Sequence, residues 1–548
     1  MPFMPTTKKE LMDAIALYYK NECDGIIKYG VIGEWNVSNI TDMKALFNNR
    51  YRFNYDISNW DVSNVKTMHN MFESCNNFNQ PLNKWNTSKV IDMNRMFYNC
   101  NKFNQPLNNW NVSRVINMSY MFYKCSTFNQ PLNKWNVSNV RRMTSMFNHC
   151  TNFNSLLNNW NVSRVINMSN MFDYCTNFNQ PLNNWDVSNV TNIQFMFDHC
   201  TNFNRPLNNW NVARVTGMSN MFNNCITFNQ LLDKWNVSRV TNMSCMFDHC
   251  TNFNQLLNNW NVFKVTNMSC MFKGCANFNQ PLNNWNVARV TDMSNMFNNC
   301  ITFNQLLDKW NVSRVTNMSS MFKECAKFDQ PLNNWNVYNV TNMQCMFNNC
   351  NNFDRSLSNW NVSKVIKMQH IFNENINFTQ PLIMWHNVKS IYAENSADIL
   401  IYILNDLIKN PYILKRKTSI IDNIMNTSLI NCIYKYKKEF MLNKYKNVFD
   451  GYIISYKVIN YDIICILDHF GINMEKTINF DKFSDELLVD LYYNKKSRLI
   501  SKLIKHIKET DTKRYNGLIE KLNKIFSKKL NKNVIVTIVN NSILISHD

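Results

Sequence analysis

The chain contains fifteen tryptophans, and every one falls on a 25-residue period, from Trp35, Trp60 and Trp85 through to Trp360 and Trp385. A fixed period in this range marks a repeat architecture, in which one unit cannot bury its own apolar face and neighbours must cover it. Other residues keep the same beat. In the unit that begins at Trp110, taken as position 0, Val112 and Val115 lie at +2 and +5, Met118 at +8, and Met121-Phe122 at +11 and +12. Cys125 follows at +15, Phe128 at +18 and Leu132 at +22. The pattern predicts a stacked solenoid over residues 31–390, of about fourteen units.

Within a unit two spacings alternate. Trp160 and Val162, two apart, read as one face of an extended segment. Val165, Met168, Phe172 and Cys175, three and four apart, read as the stripe of a short helix, with Ser163 placed to cap its start. Thr176 to Leu182 reads as a polar turn pinned by Phe178 and Leu182. The expected fold is therefore α/β, a short strand plus a short helix per turn.

The ends of the array depart from the pattern. Arg50 stands where the cysteine column should begin and Asn375 where it should continue; Ile371-Phe372 replaces Met-Phe. Before the array, Thr7 and Glu10 have capping-box spacing, and Leu11, Ile15 and Tyr18 form an apolar stripe. Residues 1–30 thus read as an N-terminal cap with a helix over 8–22. From 391 to 548 the period is lost. That segment reads as a mostly helical C-terminal domain, with helices around Ile399 to Leu407, 484–508 and 512–529. It closes in a hairpin of Val534 to Ile538 and Ile543 to Ile545 across Asn540-Asn541.

Eighteen cysteines suggest a disulfide scaffold until they are placed. Twelve occupy the single position +15, from Cys75 to Cys350, and Cys245, Cys270 and Cys345 share position +10. A disulfide framework pairs different positions of a short chain; one recurring position reads as a column of buried thiols acting as small apolar groups. The net charge of +20 is spread out: residues 391–548 carry 25 Lys and Arg against 17 Asp and Glu, or +8, which leaves +12 for residues 1–390. No run of apolar residues has the length of a membrane span, and Lys8, Lys9 and Glu10 fall where a signal peptide would be apolar. The expectation is an intracellular protein without membrane insertion.

The unit Trp-Asn-Val-Ser-Asn-Val, followed by Met, Met-Phe, Cys and Phe-Asn-Gln-Pro-Leu, resembles the mycoplasma-type 25-residue surface-protein repeats, related to BspA-type leucine-rich repeats. The resemblance covers residues 30–390 and engages about ten positions per unit. It implies a leucine-rich-repeat-like solenoid with a binding role and no catalytic residues. Composition is most similar to the branch found in large DNA viruses.

One column invites a binding role. Position +4 is basic in nine units: Lys89, Arg114, Arg164, Arg214, Arg239, Lys264, Arg289, Arg314 and Lys364. Such a row suits a solvated edge that keeps the rod soluble, an acidic protein partner, or a polyanion or nucleic acid held with strong salt dependence. His149-Cys150, His199-Cys200 and His249-Cys250 raise zinc, but a cysteine facing inward turns its neighbour elsewhere, so no metal is expected of them. The periodic aromatics read as core rather than as stacking platforms for bases. No Gly-rich phosphate loop is present, and no nucleophile–base set stands out. Residues 208–247 and 283–322 are the same forty residues except Gly217 against Asp292 and Cys245 against Ser320. A surface whose area grows with unit number tolerates such copying better than an active site does. The reading is a non-enzymatic scaffold for protein–protein interaction, with no cofactor or small-molecule substrate expected; a structural or surface component is a further alternative.

Overall fold

A peptide N–H must find an acceptor when its residue is buried, and where those of the repeat go decides its conformation. In the computed structural model, which describes residues 2–382 and 385, helical positions 509, 516, 520, 523, 524 and 527, and the backbone of strands 534–539 and 542–547, each unit is one rung of a solenoid. The expected short helix is absent from every described rung. In the unit from Trp160, the amides of Val165, Met171, Asp173, Cys175, Phe178 and Trp185 each donate to the carbonyl three residues back, at 2.8–3.3 Å. These are successive β-turns. Corners spaced by three and four residues point the same side chains inward as a helical stripe would, which is why the pattern mimics a helix.

The intervening amides leave the rung. Met168, Asn170, Phe172 and Tyr174 donate to Asn192, Gln194, Met196 and Asp198 of the next rung, at 2.8–3.0 Å. Chain direction alternates because +10 and +14 are left-handed: φ is 56° at Asn170 and 57° at Tyr174, and the same two positions repeat along the array. An α-helix sends every N–H to the residue four back and admits no such residue. Asparagine, which tolerates this region, fills nine of these sites, among them Asn70, Asn220, Asn299 and Asn349. A single parallel bridge per rung, from Asp42↔Thr67 to Asn342↔Lys367, is all the regular β-structure among the described residues of the array. Ser163 caps no helix: its amide and hydroxyl donate to Asn161 Oδ1, at 3.1 and 2.7 Å, in an Asx turn.

The core is a set of columns. Trp, Phe at +12 and Phe at +18 each stack on their equivalents; Trp185 and Trp210 centroids are 6.5 Å apart and Phe197 and Phe222 5.8 Å. From Trp85 to Trp360 each indole N–H donates to the carbonyl 28 residues back, just ahead of the preceding tryptophan, as Trp110 does to Leu82 at 2.8 Å. The +15 thiols are buried, and Cys200 Sγ donates to the Phe172 carbonyl at 2.9 Å. Thr87, the one polar residue of the +2 column among the described residues, is fully buried and donates to the Asn111 carbonyl at 3.0 Å. A further column is polar: from Asn79 to Thr379 the backbone N–H of each +19 residue donates to the +19 side-chain oxygen of the rung before. This ladder runs from Asn54 and Asn79 through Asn304 to Asp329, Asp354 and Thr379, at 2.8–3.2 Å. The segment read as a turn pinned by Phe178 and Leu182 is thus also tied by Asn179.

The first rung is covered by two helices, α1 (Lys8–Lys20) and α2 (Glu22–Tyr29). Thr7 and Glu10 form a reciprocal capping box, and Asn21 Oδ1 accepts from Cys23 and Asp24 at the start of α2. Phe3, Tyr18 and Tyr29 close over Trp35, with centroids 4.6–6.1 Å apart, so the tryptophan column ends against aromatic rings. Trp35 has no earlier rung and donates instead to the Gly30 carbonyl at 3.2 Å. Arg50, at the vacant cysteine place, lies over the Tyr19 ring at 4.9 Å.

Residues 1–380 and 381–548 are separate compact units. In the second, strands β1 (Val534–Val539) and β2 (Ser542–His547) pair antiparallel across Asn540-Asn541. The helices expected at 399–407 and 484–508 lie outside the described residues. Of 512–529, helical backbone is described at Asn516, Glu520, Asn523, Lys524 and Ser527.

Candidate binding face

Position +4 follows a turn whose buried corners are +2 and +5, so its side chain points outward. All nine basic residues of the column, Lys89, Arg114, Arg164, Arg214, Arg239, Lys264, Arg289, Arg314 and Lys364, are exposed. They do not form one unbroken row. Asn139, Asn189 and Asn339 interrupt it, and Arg214 to Arg314 is the longest run, over five consecutive rungs. The interruptions are structural: Asn139 Nδ2 donates to the Ser113 carbonyl at 2.7 Å, and Arg164 Nη1 donates to Asn139 Oδ1 at 2.6 Å. Lys89, Arg214 and Lys364 reach Asn64, Asn189 and Asn339 in the same way, at 2.7–3.0 Å. Arg289 and Lys364 also lie over the rings of Phe263 and Tyr338, at 5.7 and 4.0 Å. Among the described residues none of the nine joins an ion pair, whereas Arg95, Lys273 and Arg355 do.

Beside the cations runs position +6. Its amides donate rung to rung, Ile116 to Ile91 and Thr191 to Ile166, at 2.9 Å, so the column is pinned by backbone. It is occupied mainly by threonine and by the exposed isoleucines Ile91, Ile116, Ile166 and Ile366. Arg141, Arg164 and Arg214, with Ile166, Asn189 and Thr191, line a shallow hollow of about 320 Å³ on this face. Sequence reading reached the cations through their period and missed this neighbour column, because threonine and isoleucine at +6 also fit a core strand.

The three His-Cys pairs do not act together. Cys150, Cys200 and Cys250 are buried, while His149, His199 and His249 sit left-handed and half-exposed, with φ 55–60°. The histidines mark a different surface, at +13 and +14. There His149 stacks on Tyr174 and Tyr174 on His199, at 4.4 and 4.1 Å. Asp173 and Asp198 lie beneath them, and burial pushes both carboxyls up to about 7, the charge of Asp198 adding to the rise at Asp173. Asn148 Nδ2 donates to Asp173 Oδ2 at 2.9 Å, and His199 Nδ1 is 2.7 Å from Asp198 Oδ1. Among the described residues no helix is long and apolar enough to cross a membrane.

No curated protein matches the sequence. Among solved structures, the chain is similar to one in the complex of Toll and Spatzle from Drosophila, at 11% identity and a TM-score of 0.18; the match covers 60% of this chain and 47% of that one. The chain therefore spans about half the length of that protein. Residues 18–135, 117–231, 207–306 and 281–385 each match one repeat family. With the whole array matched in four overlapping stretches, the chain belongs to the family described as Mycoplasma protein of unknown function, DUF285.

Proposed function

We propose that the chain is a non-enzymatic repeat scaffold that binds a protein partner of acidic surface along the +4 and +6 columns. The observation that supports this most is the run Arg214, Arg239, Lys264, Arg289 and Arg314, exposed and without ion pairs among the described residues, on a backbone tied rung to rung. A pre-ordered surface loses little conformational entropy on binding. Arginine beside exposed aliphatic and aromatic groups is the composition of interface centres rather than of solvated rims. The copied block of 208–247 and 283–322 fits a surface that extends by repetition.

The test compares the full chain with a variant carrying Arg214→Glu, Arg239→Glu, Arg289→Glu and Arg314→Glu, in nuclease-treated affinity purification with mass spectrometry. A protein retained by the first and lost from the second supports the reading; recovery indifferent to the reversal sinks it. A second reading, a polyanion held on the same column, rests on the arginine-lined hollow at Arg141, Arg164 and Arg214. Filter binding to nucleic acid at about 50 and 200 mM salt separates the two, since six or more phosphate contacts would cost roughly 10³-fold in affinity over that range.

A further inference from the structure

Position +10 is a left-handed surface site that accepts almost anything: alanine, arginine, tyrosine, phenylalanine, histidine and asparagine all occur there. Cysteine is not needed at it for folding, in contrast to the buried +15 column. Yet Cys245 and Cys270 occupy it in adjacent rungs, with φ 53° and 56°. Their amides are fixed to the Ser269 and Ser294 carbonyls, both at 2.8 Å. Asp248 lies between them, its amide on the Cys245 carbonyl at 3.2 Å. One donor atom from each of Cys245, Asp248 and Cys270 falls within 4.8 Å of the other two.

The surroundings fit a ligand set rather than chance crowding. Asp248 is 8% exposed and its Oδ1 is buried. His249 Nδ1 stands 2.6 Å from that oxygen and Lys273 Nζ 3.9 Å from Oδ2. The imidazole has room because the next rung carries Gly274: a Cβ there would come within 2.9 Å of His249 Cδ2. Every other left-handed +14 site holds a side chain.

The copied block supplies an internal comparison. Three units on, Cys245 is replaced by Ser320, Asp248 by Lys323 and His249 by Glu324, while Cys345 still matches Cys270. There Lys323 and Glu324 form an ion pair at 3.1 Å. One of only two differences within the forty copied residues therefore falls on this cluster, and the copy ends one residue before Asp248.

We propose that Cys245, Cys270 and Asp248 bind a thiophilic divalent cation, zinc, across two rungs, with the fourth position open to solvent and His249 holding the Asp248 carboxylate. Two thiolates with one carboxylate are a donor set that selects zinc over magnesium or calcium. Binding releases the two thiol protons to solvent and leaves the +15 thiols in the core.

The experiment uses the full chain, reduced with a phosphine and stripped of metal, titrated with cobalt(II) and then zinc. The expected result is a thiolate-to-cobalt charge-transfer band that zinc displaces, lost in Cys245→Ser and in Cys270→Ser and kept in Cys345→Ser. Cys245→Ser places at this site the residue already present at Ser320, so folding is preserved. Zinc should also raise the thermal midpoint of the unaltered chain and not that of Cys245→Ser. Absence of the band, or a band that survives Cys245→Ser with Cys270→Ser, overturns the proposal.

Discussion

At the scale of residues, buried polar groups set the limits of the array. Asp173 and Asp198 carry pKa values near 7 against an ordinary 3.8, because burial disfavours their charged forms. Their folded-state pKa lies above the unfolded one. Their contribution to stability is thus complete below about pH 4 and is lost as pH rises through about 7. Asp173→Asn with Asp198→Asn should raise the thermal midpoint by several degrees at pH 8 and leave it unchanged at pH 4. Parallel melts at the two pH values check this, and an equal effect at both would refute the assignment. The indole and thiol ladders show the opposite case: polar atoms that are buried and satisfied by carbonyls of a neighbouring rung.

Among the elements, the rung is the unit and the column is what joins rungs. Phe222 stacks on Phe197 and Phe247, at 5.8 and 5.7 Å, and on Phe228 of its own rung at 4.1 Å. Phe222→Ala should cost about 3–5 kcal/mol. Because each rung contacts only its neighbours, the loss should also divide unfolding into two transitions, visible by calorimetry; a single sharp transition would argue against it. The short helix expected from Val165, Met168, Phe172 and Cys175 illustrates the limit of spacing as a guide. Turn corners three and four residues apart and a helical stripe leave the same mark on sequence. What separates them is the left-handed pair, here Asn170 and Tyr174, and a preference for asparagine at those positions is a signal that was available in the sequence.

For the solenoid unit as a whole, length is adjustable and ends are not. Deleting 233–307 removes three whole periods and joins Leu232 to Asp308 in the context that Asp233 has naturally. That shortened chain should fold, with unchanged far-ultraviolet dichroism per residue in the array and a lower thermal midpoint. Removing residues 2–30 instead strips Phe3, Tyr18 and Tyr29 from Trp35. That variant should aggregate, by light scattering, under conditions where the longer deletion stays monomeric.

The period of tryptophan, methionine, phenylalanine and cysteine determined, without coordinates, that the described rungs stack, which side chains are core and that +4 carries most of a row of cations. Those properties follow from one chain repeating itself, since a residue type that recurs at one phase must meet the same environment each time. The capping box of Thr7 and Glu10 was equally legible, being contained within four residues. The path of the chain within a rung was not, because turn and helix share their apolar spacing and differ in where each N–H finds its acceptor. The asparagine ladder, the pairing of +6 with +4 and the meeting of Cys245, Asp248 and Cys270 were decided only by tertiary structure. Each joins residues of neighbouring rungs, and the distance between those is fixed by the stacking of the core rather than by separation along the chain.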